Sequence, residues 1–314
     1  MTGLLKIREN FRKTYVSYGT YIDPILHFIV IFTSLSILNA NIGAMELLEN
    51  PIVVIILSIV GAFLPLKYIV MLLLVAIVAH ASAMYIEIGA LVFALILVMY
   101  LLFLRFTPKD SIILLLIPLL FFIKIPYVVP LTVGIVCTPA SIVSVSFGVI
   151  LFFLLNYISG NMSEIMSVSS DGVTMMTKLA TEVFSSRELY LTIVAFALVI
   201  LVVYFIKKMS IDYSWTIAII VGAILCVIIM LIGAMMFDMS EIVSVESIII
   251  GNIVSLIIAY LIKYMIHSVD YSRTEFTQFE DDDFYYYVKA VPKLKVTKSH
   301  VSVKRINARK VKKK

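Results

Sequence analysis

Long apolar runs with almost no charge are the feature that most limits which folds this chain can adopt. Residues 51–99 contain only two charged side chains, Lys67 and Glu87. Of the 314 residues, 62% are hydrophobic and 14% are charged. Soluble domains carry about 45–50% apolar and roughly 25% charged residues. Because a soluble core of this size could not bury so much apolar surface, the sequence predicts an all-α polytopic membrane protein.

Seven apolar runs are candidates for transmembrane helices. A helix needs about 20 apolar residues to cross the hydrocarbon core, within a range of roughly 17–25. Six runs approach or meet this length, and the run 51–65 is shorter. The seven runs are 24–40, 51–65, 68–84, 88–104, 189–206, 214–236 and 247–266. Together they place a transmembrane domain at residues 24–267.

The stretch 111–158 adds further crossings, but prolines interrupt it. Each proline removes a backbone donor and disfavours a continuous helix. Three crossings, two of them short, at 111–123, 126–138 and 140–158 give about ten transmembrane helices in all. A re-entrant pair followed by one full helix gives eight, and this alternative stays open. The prolines concerned are Pro118, Pro126, Pro130 and Pro139.

Positive charge at both ends of the chain predicts its orientation. The head, residues 1–23, carries four Lys or Arg, and residues 284–314 carry eleven with no acidic residue. Cytosolic segments of membrane proteins are enriched in Lys and Arg. We therefore expect a basic cytosolic head, an acidic-then-basic cytosolic tail at 268–314, and an outer loop at 159–188.

The outer loop contains an amphipathic segment at 173–184. Five apolar side chains fall on one face of a helix there, with polar residues beside them. One interpretation is a short helix that lies on the outer membrane surface. The other is an ordinary loop helix that packs on the transmembrane helices. The apolar face consists of Val173, Met176, Ala180, Val183 and Phe184.

An aromatic cluster in the tail is the candidate partner-binding site. It consists of Phe284, Tyr285, Tyr286 and Tyr287, and it follows four consecutive acids at 280–283, which suit a solvated run. Aromatic residues favour strands, and alternating apolar positions recur between residues 294 and 303. We expect two or three short strands, whose exposed edge could bind a cytosolic protein. The basic end could instead rest on the anionic headgroups of the lipid bilayer.

The sequence lacks the residue patterns of an enzyme. It has no glycine-rich phosphate loop, no His-Glu-x-x-His helix and no cysteine pair with metal-ligand spacing. Cys137 and Cys226 lie inside apolar runs and suit small buried side chains. We therefore expect no enzymatic activity, no cofactor, no metal site and no nucleic-acid partner.

The proline-rich middle is the candidate transport pathway. Non-helical backbone at membrane depth is tolerated only where protein buries it or where it lines a cavity, and transporters build binding sites from such breaks. The stretch also supplies one charge and several hydroxyl groups. The candidate pathway residues are Lys124, Thr132, Thr138, Ser141 and Ser144.

Short segments of the chain resemble a known group of proteins. They are Arg-Phe-Thr-Pro-Lys at 105–109, Phe-Ile-Lys-Ile-Pro-Tyr-Val-Val-Pro at 122–130, Gly134 with Thr138-Pro139, and the tail segment 278–293. These segments are similar to uncharacterised multi-pass membrane proteins of anaerobic Gram-positive bacteria, some of which are labelled as ABC-transporter permeases. The resemblance implies a bacterial plasma membrane and a separate ATPase subunit, and it assigns no catalytic or substrate-binding residue.

Two functions are compatible with these patterns. In the first, the chain is the permease-like membrane subunit of a transport system, with residues 111–158 as its pathway. In the second, it is a membrane scaffold that does not transport and whose tail recruits cytosolic proteins. The prolines favour the first, whereas the scarcity of polar groups inside the membrane and the elaborate tail favour the second.

Overall fold

The computed structural model describes residues 2–101, 110–161, 172–237, 245–266, 269 and 274–293. The chain divides into two compact units. One unit is Tyr18–His267 and contains the apolar helices, and the other combines Met1–Ser17 with Ser268–Lys314. The described part is almost entirely helical apart from one β-hairpin in the tail.

Twelve α-helices and two strands make up the described elements. The first half contains α1 Thr2–Asn41, α2 Glu46–Glu49, α3 Pro51–Ala62, α4 Leu66–Met84, α5 Ile86–Met99, α6 Ser111–Phe122 and α7 Val128–Val136. A 3-10 turn at Pro139–Ser141 leads into the rest, which are α8 Ile142–Gly160, α9 Gly172–Ser185, α10 Arg187–Lys208, α11 Ser214–Phe237, α12 Val245–Ile266, β1 Glu275–Glu280 and β2 Tyr285–Ala290.

Six helical segments are long and apolar enough to cross a membrane within the described ranges. They are Lys13–Asn41 of α1, α4, Pro139–Gly160 with α8, α10, α11 and α12. The described apolar helices α3, α5 and α6 are shorter. Six segments of this kind are compatible with a multi-pass membrane protein, but neither the predicted ten spans nor the alternative of eight is supported. The physical reason is length, because α6 has 12 residues and α7 has nine, which at 1.5 Å per residue reach only about 18 and 14 Å.

Helix α9 confirms the predicted amphipathic segment. It packs on α5 and α8, and it buries Leu179 and Val183 while Thr177 and Thr181 stay exposed. The predicted apolar face included Val183 and missed Leu179. The packing agrees with the second of the two interpretations, a loop helix that packs on other helices of the chain.

The tail forms an antiparallel hairpin whose turn is the acidic run. Its strands pair from Glu275 opposite Ala290 to Glu280 opposite Tyr285. Oδ1 of Asp281 accepts the backbone N–H groups of Asp283 at 3.0 Å and Phe284 at 2.7 Å, and its Oδ2 accepts the Tyr286 hydroxyl at 2.8 Å. A short acidic side chain that accepts backbone N–H groups two and three residues ahead stabilises a tight turn. The acidic run is exposed, as expected, and it also forms a structured turn.

The strands predicted in the tail agree only in part with this hairpin. Three residues of the aromatic cluster, Tyr285, Tyr286 and Tyr287, begin β2 as expected, and Phe284 precedes the strand. Strand β1, with the sequence Glu-Phe-Thr-Gln-Phe-Glu, was not predicted. The alternating positions between residues 294 and 303 lie outside the described residues.

We expect Asp281→Asn to loosen the hairpin and Asp282→Asn to leave it intact. The Tyr286 hydroxyl, followed by the two backbone N–H groups, lowers the pKa of the Asp281 carboxyl below its ordinary value of 3.8. A lowered pKa means that the ionised form stabilises the folded hairpin, so this stabilisation is present above pH 3.8 and is lost as the pH falls through the lowered pKa. Hydrogen exchange of the 275–290 amides in the full-length protein measures it. Equal protection in the two variants would contradict the role of Asp281.

Candidate functional site

The proline-rich middle contains a sharp chain reversal after α6. The N–H of Lys124 bonds the carbonyl of Phe121 at 2.9 Å, and the N–H of Ile125 bonds that of Leu120 at 2.9 Å. This bonding pattern is the Schellman motif, which ends a helix with one residue in the left-handed region. Lys124 occupies that position with φ 65°, although glycine is the usual residue there. The reversal therefore turns the chain back toward its starting side.

Helix α6 runs parallel to α8. At one end, the Ser141 hydroxyl donates to Oδ2 of Asp110 at 2.8 Å. Farther along, Ile117 of α6 lies against Gly148. Next, the ring of Phe121 stacks on that of Phe152 with 4.2 Å between centroids. Contacts that advance together along both helices fix a parallel pair, so α6 and α8 start on the same side.

Helix α7 returns along α10. The ring of Tyr127 meets that of Phe196 edge to face at 6.2 Å. At the other end, Nζ of Lys207 donates to the carbonyls of Gly134 at 3.0 Å and Ile135 at 2.6 Å. Helix α7 therefore ends level with the last turn of α10, on the side where α6 began. We call residues 110–138 the re-entrant hairpin, and residues 123–127 its tip.

The tip lies near the middle of the long helices around it. Phe121 contacts both Phe152 and Phe196, which lie near the centres of α8 and α10. From these rings, α8 continues for eight residues to Gly160, and α10 starts nine residues earlier at Arg187, which are lengths of about 12–14 Å. If α8 and α10 cross the bilayer, the tip stops well short of the membrane surface at which Gly160 and Arg187 lie.

Packing against glycine holds the tip in place. A Cβ atom at Gly251 of α12 would lie 3.0 Å from the Tyr127 ring and 3.1 Å from the carbonyl oxygen of Lys124. The absent side chain thus lets the helix approach the tip closely. Most of α7 is buried, whereas the Lys124 side chain is exposed.

Two of the four prolines in this region lie at breaks between helices, and the other two lie within helices. Pro126 lies in the tip, and Pro139 begins the 3-10 turn, so the predicted breaks at these two positions are confirmed. Pro130 lies in the first turn of α7, where a missing N–H has little effect. Pro118 lies inside α6 and does not end it.

The five candidate pathway residues do not converge on one cavity. Lys124 lies at the tip and forms no ion pair within the described ranges. Thr132 donates to the Val128 carbonyl of its own helix at 2.7 Å. Thr138 is exposed after α7, and Ser141 is bonded to Asp110. The Ser144 hydroxyl is fully buried and has no partner among the described residues.

Three polar side chains near the tip were not predicted as site residues. Asn252 and Ser255 of α12 are buried, and Oδ1 of Asn252 and Oγ of Ser255 have no partner among the described residues. Cys226 of α11 lies within hydrogen-bonding reach of Asn252. Gly251 and Ser255 lie four residues apart, a spacing that by itself indicates close helix packing. The signal that could have identified them is that polar groups inside a membrane are expensive and mark functional sites.

The aromatic cluster of the tail lies on both faces of the hairpin. Tyr286 stacks on Phe279 with 4.9 Å between centroids. Tyr285 and Tyr287 alternate with it and point to the opposite face, where Tyr287 is 79% exposed. A two-stranded hairpin with no covered face is marginally stable in water.

Lys207 closes the end of α7, and we expect Lys207→Met to destabilise the fold. The helix ends at Val136, and Cys137 after it has an extended backbone, so the last carbonyls of α7 need partners other than a further turn. Hydrogen bonds from a charged donor contribute about 1.5–3 kcal/mol each. Thermal unfolding of the purified protein should show a lower midpoint. Lys208→Met is the matched control, because Lys208 is exposed and lies over the ring of Tyr204 at 4.6 Å; equal midpoints would contradict the role of Lys207.

Comparison with known proteins adds no assignment to this geometry: no family model, curated protein or solved structure matches the chain.

Proposed function

We propose that this chain is the membrane-spanning subunit of a transport system, with the re-entrant hairpin as the element that lines its pathway. The observation that carries the proposal is the break in the chain at the tip, near the middle of α8 and α10. The tip presents Lys124, a charged side chain, at that depth.

The energetic cost of a charged side chain in lipid supports a water-filled passage that reaches the tip. A Lys at the centre of a bilayer costs about 2.5–3.5 kcal/mol when it faces lipid. A water-filled recess between the tip and the far ends of the surrounding helices removes this cost. The walls of the recess would be α8, α10 and α12, which extend past the tip. Half-helices that meet at membrane depth are also the usual way in which transporters form binding sites.

The source of energy for transport lies in a separate subunit under this proposal. The sequence has no glycine-rich phosphate loop that could hold a nucleotide. A cytosolic ATPase subunit would therefore bind the chain at a bacterial plasma membrane. The basic head and tail suit a topology with both termini in the cytosol.

Affinity purification from the membranes of the native organism tests this function. We expect an ATPase to co-purify with the tagged full-length chain and to hydrolyse ATP in nanodiscs. Lys124→Glu, which reverses the charge at the tip, should change that hydrolysis rate, and Lys67→Glu is the control at an exposed position in the first turn of α4. A preparation with no nucleotide-hydrolysing partner would contradict the proposal.

A membrane scaffold is the second candidate function, and the exposed hairpin of the tail favours it. The aromatic side chains of β2 and the open strand edges suit the addition of a partner's strand. Deletion of residues 278–306 should then remove a cytosolic protein from the purified preparation without affecting membrane insertion. Identical partner sets for the full-length and truncated chains would contradict this role.

A further inference from the structure

An apolar cavity of about 210 Å³ lies between α5, α8 and α9. Side chains from all three helices form its wall, and each one is hydrocarbon. The wall includes Leu91 and Leu95 of α5, Ile150 and Leu154 of α8, and Val183 and Phe184 of α9.

The cavity starts about 8–9 Å from the ends of the helices that form it and continues toward their middle. Leu91 is five residues from the start of α5, and Leu154 is six residues from the end of α8, which are distances of about 8–9 Å along the helices. The Ser159 hydroxyl donates to the Asn41 carbonyl, so α8 ends beside the end of α1. The cavity therefore lies at the depth of the acyl chains, on the Asn41 side of the membrane.

Helix α9 covers this cavity as an amphipathic lid. Its own residues Leu179 and Val183 are buried on one face, whereas Thr181 and Glu182 are exposed on the other. Helix α9 packs on α5 and α8 and so closes one side of the cavity. Phe184 is half-exposed at the rim, so the cavity is open to the surrounding lipid at this point.

We propose that this cavity binds an acyl chain of a membrane glycerolipid. Water is a poor occupant, because an apolar cavity offers it no hydrogen-bond partner and stays dry. An empty cavity would leave its lining without dispersion contacts on one side. A hydrocarbon chain restores those contacts, and at this depth the bilayer supplies such chains. The site is independent of any transport activity.

Photocrosslinking of the full-length protein in nanodiscs tests the site. The probe is a phosphatidylcholine that carries a diazirine in the middle of one acyl chain, and peptide mass spectrometry locates the adducts. We expect adducts on residues 91–98, 150–154 and 180–184. Ala94→Phe should lower this labelling roughly fivefold or more, because the ring occupies the cavity that Ala94 lines.

A matched control and a milder variant keep the test decisive. Ala90 lies one helical turn from Ala94 on α5 and is not among the residues that line the cavity, so the labelling of Ala90→Phe should equal that of the wild type. Ala94→Leu fills less of the cavity and serves if thermal unfolding shows that Ala94→Phe does not fold. Labelling of the three segments that stays at the wild-type level in the folded Ala94 variant would overturn the proposal.

Discussion

A cysteine in place of Lys124 is expected to react roughly 100-fold faster with a membrane-impermeant maleimide than a cysteine at Val194. Val194 is exposed on α10 two residues from Phe196, so it lies at a similar depth but on the outer surface of the helices. Thiolate is the reactive form of cysteine. Placing a charge in lipid costs about 2.5–3.5 kcal/mol, and each ~1.4 kcal/mol changes an equilibrium constant tenfold. The ionised fraction of a lipid-facing thiol is therefore roughly 100-fold smaller than that of a thiol in water.

The experiment uses a background without Cys137 and Cys226, the two native cysteines. Intact-mass time courses in nanodiscs give the two reaction rates. Reagent added to one side of proteoliposomes then shows from which surface the tip is reached. Rates within threefold of each other would mean that no water reaches the tip, and the transport proposal would lose its central support.

Gly251→Leu is expected to cause a large loss of stability and to displace the tip. A Cβ atom there already lies 3.0 Å from the Tyr127 ring and 3.1 Å from the Lys124 carbonyl oxygen. Overfilled packing costs about 1–3 kcal/mol, and a leucine places its branch in the space that the tip occupies. We expect a loss of unfolding free energy near the upper end of this range, because backbone hydrogen bonds hold the tip and must break before it can move.

Thermal unfolding of the purified protein measures the effect of Gly251→Leu. Ile253→Leu on the same helix is the control, because Ile253 is 57% exposed and faces away from the hairpin. The Lys124 cysteine should also change its labelling rate in the Gly251→Leu background. An unfolding midpoint equal to that of Ile253→Leu would show that the tip does not pack on Gly251 in the folded protein.

The membrane class of the fold could be predicted because it depends on local properties of the chain. Charge-free runs such as those of α4 and α11 exceed what any soluble core can bury, whatever their neighbours are. Pro126 and Pro139 lie a few residues past the ends of α6 and α7, and their missing N–H groups and rings keep these helices from continuing. The amphipathic helix α9 could be predicted for the same reason, since its apolar residues recur with the period of a helix.

Strand β1 could not be predicted, because its stability comes from its partner. The segment Glu275–Glu280 lacks the alternation that marks a strand, because its two aromatic residues are three positions apart. It becomes a strand because Asp281 turns the chain and brings Phe279 against Tyr286. Cross-strand pairs of this kind form only after both strands and the turn are in place.

The apolar composition of residues 111–136 established by itself that this segment belongs with the membrane helices, and its prolines established that the segment breaks. The hairpin formed by α6 and α7, and the position of Lys124 near the middle of α8 and α10, were decided only by tertiary structure. A short apolar helix has the same local sequence whether it crosses the bilayer or turns back inside it. The direction depends on which helices it meets, here Phe152 of α8 and Phe196 of α10, and these contacts lie far away along the chain.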